Sequence, residues 1–263
     1  MFLTVFLICM LLGTLVGFLA GLLGIGGGLV IVPSLVILLP MLGFEPEIVM
    51  PIALASSLAS IVVTSSSAAF NHHKSGNIPW HMARKMMAFV AVGAVAGANL
   101  ADLLPTSALT AIFSICVILL ASYMLFSIRQ TVHRDLPSDN TLKGVAAGTG
   151  VIASLMGISG GAVLIPFLTY CGVNLLHAIG VSTACGMIVS LFGTLAFIIA
   201  GIGEPNLPEW SLGYVYLPAV LGIASTSTIL ASYGVRLANR LPVKTIKKFF
   251  AAFLIIVAIE MMI

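Results

Sequence analysis

The chain has 263 residues, of which 60% are hydrophobic and only 7% charged, with a formal net charge of +3. A soluble domain carries about 25% charged residues, so a single aqueous globule is excluded and no extramembrane domain is expected. Apolar runs of about 20 residues recur, the length of a helical span, and the period-two alternation of barrel strands is absent.

The first apolar stretch begins at Met1 without a basic flank or an A-x-A site, so it is expected to stay in the mature protein. Its Gly13, Gly17 and Gly21 fall four apart and read as helix-packing positions, as do Gly93 and Gly97 further on. The stretch then runs into a Gly-rich tract, GLLGIGGGLVIVPSLV over 21–36. A near-copy, SLMGISGGAVLIPFLT, occupies 154–169, and eight of the sixteen positions are identical. The identities are Leu22/Leu155, Gly24/Gly157, Ile25/Ile158, Gly27/Gly160, Gly28/Gly161, Val30/Val163, Pro33/Pro166 and Leu35/Leu168. A duplicated apolar segment broken by Gly and Pro is the sequence mark of a secondary transporter's binding site.

The eleven Lys and Arg fall in three clusters: Lys74 with Arg84 and Lys85, then Arg129, Arg134 and Lys143, then Arg236 to Lys248. The connections between them carry only acids, at Glu45/Glu47, Asp102 and Glu204/Glu209. Placing the basic clusters in the cytoplasm threads the chain through spans at 48–72, 80–103 and 106–128. A linker follows, and then spans at 178–201, 210–234 and 243–263. Segments 1–42 and 143–172 each enter and leave on one face, the first outside and the second inside. The chain therefore divides into an N-terminal repeat, 1–135, and an inverted C-terminal repeat, 136–263. Each is a Gly-interrupted helical hairpin plus three spans. The expected fold is an all-α integral membrane protein of about ten segments, with both termini outside. Asn77-Ile78-Pro79-Trp80 recurs as Asn206-Leu207-Pro208-Glu209-Trp210, each Trp being expected to open the next span at an interface.

The second leg of each hairpin, about 28–40 and 161–171, is too short to cross a core of about 30 Å at about 1.5 Å per residue. Such legs are expected to begin near the midplane, with unpaired N–H groups and positive dipole ends directed at the membrane centre. Gly24, Gly26, Gly27, Gly28, Gly157, Gly160 and Gly161 permit close backbone approach there, which suits an anion without a buried Lys or Arg. The hydroxyls of Ser56, Ser57, Ser159, Ser182 and Thr183 complete the predicted shell. No Asp or Glu lies mid-span, which argues against a carboxylate proton relay or cation site. His72, His73, His81 and His177 sit at span ends and read as solvated. Cys9, Cys116, Cys171 and Cys185 have no C-x-x-C spacing and read as small buried hydrophobes.

The paired tracts, the Gly76-Asn77-Ile78-Pro79-Trp80 stretch and the duplicated layout make the chain resemble the TauE/SafE sulfite exporter family. The resemblance covers nearly the whole chain. It implies an inner-membrane permease of small sulfur-containing anions such as sulfite or sulfonates, with no cofactor and no bound metal. The expected partners are the anion and the lipid bilayer, with no nucleic acid, and homo-oligomerisation is left open. Two other readings stay open. One is a metal or neutral-solute carrier using the His and hydroxyl groups. The other is an intramembrane serine protease, since Gly157-Ile158-Ser159-Gly160 matches a nucleophile pattern but lacks a mid-span His base.

Overall fold

In the computed structural model the described residues are 2–23, 26–126 and 137–238, with 252, 254, 255 and 259 beyond them. They form α1 (Phe2–Leu23), α2 (Gly28–Met41), α3 (Pro46–Lys74), α4 (Trp80–Leu103) and α5 (Thr106–Phe126). After the linker come α6 (Asp139–Leu155), α7 (Gly161–Tyr170), α8 (Leu175–Ala200), the two-residue strands β1 (Ser211–Leu212) and β2 (Val215–Tyr216), and α9 (Leu217–Ala238). Five of these helices, α1, α3, α4, α5 and α8, are long and apolar enough to cross a membrane. Of the expected span 243–263 only residues 252, 254, 255 and 259 are described, and Gly24 and the linker as far as residue 136 lie outside the described residues.

The helix limits follow local chemistry. Pro46 starts α3, where a missing N–H costs nothing. Ser138 caps α6 by accepting from the Thr141 N–H, and Asn174 caps α8 by accepting from the Leu176 N–H at 2.9 Å. The duplicated helices α2 and α7 start at equivalent glycines, Gly28 and Gly161, and each carries its proline at the sixth position, Pro33 and Pro166. With 14 and 10 residues they measure about 21 and 15 Å, short of a full crossing. The break before each is local: Gly26 (φ +65°), Gly157 (φ +62°) and Gly160 (φ +74°) occupy left-handed conformations that other residues avoid.

One expected span starts later than the sequence suggests. Trp80 does open α4, but Trp210 does not open α9, and residues 210–216 are not helical. They form an antiparallel hairpin pairing Ser211 with Tyr216 and Leu212 with Val215. Its two-residue loop begins at Gly213 (φ +54°), the conformation that such a tight turn requires at its first position. Trp210 itself, 62% exposed, sits at positive φ and meets the Phe2 ring edge-on at 5.4 Å.

The helices interlock across the two halves. The main partner of α1 is α9, and the main partner of α6 is α4, so the two legs of each expected hairpin pack mostly on other helices. The buried α3 packs on α8, while α2 rests on α3 and α7 on α8. Exchanging α1 with α6, α2 with α7, α3 with α8 and α4 with α9 leaves this set of pairings unchanged. The close crossings are made by glycines, as a membrane interior favours. Gly17 lies against the Ser227 backbone of α9, and Gly93 and Gly97 lie against the backbone of Ala147 and Val151 in α6. Cys9, Cys171 and Cys185 are buried.

The end of the bundle carrying the acidic connections is tied shut between halves. Asn206 Nδ2 donates to Glu45 Oε2 at 2.7 Å, the Tyr214 hydroxyl to Asp102 Oδ1 at 3.0 Å, and the Tyr216 N–H to Ser56 Oγ at 3.0 Å. Burial, reinforced by the Asp102 carboxylate, pushes the Tyr214 phenol well above its usual range, so it stays a donor. At the other end Lys85 Nζ meets Asp139 Oδ2 at 2.7 Å, which holds that exposed carboxyl below its usual range.

A Cβ at Gly97 would collide with the Val151 carbonyl and Cα. Gly97→Val is therefore expected to force α4 and α6 apart at a cost of about 1–3 kcal/mol. Thermal unfolding of the purified protein should show a clear drop in midpoint, with transport falling in parallel.

Candidate functional site

The two glycine breaks meet. A Cβ on Gly26 would lie 2.7 Å from Ser159 Oγ, and these are equivalent positions of the duplication. Gly28 packs on the Gly157 carbonyl and Ile158, while Gly157 faces Val32 and Leu54. Neither helix N-terminus has a side-chain cap: the residue before α2 is Gly27 and the residue before α7 is Gly160. Neither glycine can cap its helix with a side chain, and the Gly28 N–H donates instead to the Gly26 carbonyl.

A cavity of about 210 Å³ lies at this junction. Gly26, Gly27, Ser159 and Gly161 form its inner end. Its sides are Thr64, Ser65, Ala68 and His72 of α3, Ile179, Ser182 and Thr183 of α8, and Ser227 and Ala231 of α9. Ser65, Ala68 and His72 fall at i, i+3 and i+7, one stripe of α3 that reaches about 10 Å along the helix. The cavity therefore extends from the tips toward the end of α3 that carries Lys74. Among the described residues His72 is its one ionisable lining residue, and none of them that lines it is Asp, Glu, Lys or Arg. At a share of about 30 Å³ per water, the volume suits about seven waters or one small hydrated solute.

The predicted site residues separate into two groups. Gly26, Gly27, Ser159, Gly161, Ser182 and Thr183 line the cavity. Gly28, Gly157 and Gly160 shape the breaks from behind, where a Cβ on Gly160 would approach Thr149 Cγ2 to 3.1 Å. Ser56 and Ser57 lie away from the cavity, fully buried, with their hydroxyls engaged. Ser57 Oγ donates to the Gly157 carbonyl at 2.7 Å, bracing the second break, while Ser56 Oγ accepts from Tyr216. Their counterparts in α8 behave differently: Thr183 Oγ1 donates back to the Ile179 carbonyl at 2.8 Å, whereas Ser182, 1% exposed, has no partner for its hydroxyl among the described residues.

The sequence reading missed Thr64, Ser65, His72 and Ser227. The helical spacing of Ser65, Ala68 and His72 marks a small, polar face of α3 and would have identified three of them with the neighbouring threonine. His72, expected as a solvated span-end residue, is partly buried near the end of α3 and also lines the cavity, while its neighbour His73 accepts from Trp80 Nε1 at 3.0 Å. Among the described residues no group of three or more His, Cys, Asp or Glu is placed to hold a metal ion.

Comparisons with known proteins agree on one family. The family model described as sulfite exporter TauE/SafE matches residues 9–261. A probable membrane transporter protein of Haemophilus influenzae is 43% identical, over 98% of each chain. A probable membrane transporter protein of Methanocaldococcus jannaschii is 25% identical over 99% of this chain and 97% of its own. A third, from Bacillus subtilis, is 26% identical over 92% and 93%. No solved structure matches the chain. The apolar helices and these relatives describe a multi-pass membrane transporter, and the chain belongs to the TauE/SafE sulfite exporter family.

Proposed function

We propose that this transporter is a permease of small anions, with sulfite, sulfonates and related organosulfur anions as its substrate class. The observation that carries the reading is the meeting of two helix N-termini without side-chain caps in a cavity that no acid, Lys or Arg lines among the described residues. Helix N-termini supply N–H donors and positive dipole ends, so the cavity attracts negative charge without a fixed cation. The hydroxyl of Ser182 adds a neutral donor, and the small volume favours a small oxoanion over a drug-sized solute, which needs about 300 Å³ or more. The family description supplies sulfite as the named member of this class. A metal carrier would require clustered ligands, and a carboxylate-coupled cation site would require an acid on the wall.

In this reading the two halves lie in opposite orientations in the inner membrane, with both termini outside and the linker in the cytoplasm. The exchange of packing partners between halves and the equivalence of Gly26 with Ser159 support it. The cavity walls come from residues 64–72 and 227–231, near basic connections, and from 179–183 at the start of α8, while hydrogen bonds join the halves at the acidic end. The conformation is thus an inward-facing one under the positive-inside rule.

Three measurements test the proposal. Single cysteines at Glu45 and Asp139, both exposed, in a background without native cysteines, should label from opposite faces of the membrane. Labelling from one face would contradict the inverted arrangement.

A Cβ at Gly161 meets only Ile165 Cδ1 and Ser159 Oγ, each at 3.7 Å, so Gly161→Val is accommodated by the backbone and fills the cavity. The variant should keep near-wild-type thermal stability and lose anion transport in proteoliposomes. A well-folded variant that transports at the wild-type rate would place the substrate elsewhere.

With no fixed charge on the wall to neutralise it, an anion should cross as net charge. A membrane potential of 100 mV then contributes roughly 2.3 kcal/mol per charge, about fiftyfold in concentration ratio. A potassium diffusion potential alone should set the direction of sulfite flux, and flux indifferent to it would rule out uniport of a charged substrate.

A further inference from the structure

Hydroxyls in a membrane helix ordinarily bond back to a carbonyl three or four residues earlier. In α9 three of the four hydroxyls in the run Ser225-Thr226-Ser227-Thr228 have acceptors, two of them within the helix and one on α1. Ser225 Oγ donates to the Gly222 carbonyl at 2.8 Å, Thr226 Oγ1 to the Met10 carbonyl at 2.8 Å, and Thr228 Oγ1 to the Ala224 carbonyl. Ser227, 2% exposed, has no hydrogen-bond partner for its hydroxyl among the described residues. Its backbone is pinned against Gly17 of α1, so the residue cannot retreat from its place on the cavity wall.

Six buried hydroxyls share this condition: Ser114, Ser154, Ser182, Thr194, Ser211 and Ser227. Only Ser182 and Ser227 of these line the cavity. They come from different helices, α8 and α9, and flank the glycine tips. A buried polar group left without a partner is costly; both hydroxyl oxygens are covered in this conformation, and on these two lining residues a turn about χ1 brings each to a ligand that supplies acceptors.

We propose that Ser227, which no motif singles out, is a substrate contact. With Ser182 it forms a two-hydroxyl clamp that selects an anion bearing several acceptor oxygens over a single-atom halide. The proposal rests on the reading of the cavity as the anion site. One oxygen of the oxoanion faces the helix N-termini, and its remaining oxygens accept from the two hydroxyls. A halide has one compact sphere of charge, which cannot serve both the tips and the clamp at full hydrogen-bond geometry.

The test is sulfite binding to the purified full-length protein, measured by anion-dependent thermal stabilisation, with bromide as the comparison anion. Ser227→Ala should weaken sulfite binding roughly ten- to hundredfold, the loss of a hydrogen bond to a charged group. Its effect on bromide should be much smaller. The same variant should melt without anion at or above the wild-type temperature, because it removes an unpaired buried hydroxyl. Ser227→Cys, which keeps a weaker donor, should fall between the two for sulfite. Ser114→Ala, which removes an unpaired hydroxyl away from the cavity, should leave binding unchanged. If wild type binds sulfite and Ser227→Ala binds it equally well, the clamp is overturned while the anion site stands. If wild type binds neither anion, the anion reading itself fails and the clamp with it.

Discussion

A peptide N–H inside a bilayer has no water to bond, so a helix can break there only where protein or a polar cavity answers the freed groups. The architecture of this transporter follows from that constraint. Two apolar helices end at Leu23 and Leu155, and the next ones start at Gly28 and Gly161, with Gly26 and Gly157 in left-handed conformations between them. Each break has to be met by something other than lipid. Part of the answer is internal: Ser57 reaches from α3 to the Gly157 carbonyl, and Gly28 sits on that same residue. The rest is the cavity, where helix N-termini and serine hydroxyls converge. The proposed binding chemistry is thus a consequence of breaking helices in hydrocarbon.

The two halves are not separable units. Each lends its first helix to the other's fourth, α1 to α9 and α6 to α4, through glycine crossings that bring backbone against backbone. This interlock fixes the relative position of the tips, because α3 and α8 carry them and pack on one another. It also suggests what alternates in transport. The acid-bearing end is held by a few polar contacts, Asn206 to Glu45, Tyr214 to Asp102 and Tyr216 to Ser56, and these can exchange with water more readily than the glycine crossings can open.

Much of this was legible in the sequence because glycine clusters and charge order report on backbone and membrane constraints directly. The starts of α2 and α7 and the cavity-lining positions of Gly26, Gly27 and Gly161 follow from the duplicated tract, and the limits of α4 from the charge order. Trp210 was misread because its resemblance to Trp80 is one of sequence, while the turn at Gly213 decides the local structure. The hydroxyls were read least well. Ser56 and Ser182 look equivalent, as do the four consecutive hydroxyl residues of α9, and which of them keeps a free donor depends on a partner far away in the chain. Ser57 is bound by Gly157, one hundred residues on, and Ser56 by Tyr216. Helix legs that pack across halves were also beyond periodicity, since an apolar helix in lipid shows no face that names its neighbour.

The central claim is that an oxoanion sits between the glycine tips with no charged side chain beside it. Selenite, a heavier oxoanion of the same pyramidal shape as sulfite, locates it directly by anomalous scattering from the selenium in crystals of the transporter. The account predicts one strong selenium site inside the cavity, bordered by Gly27, Gly161, Ser182 and Ser227. A selenium site at the basic connections or elsewhere, with the cavity between the tips left unoccupied at saturating selenite, would contradict it.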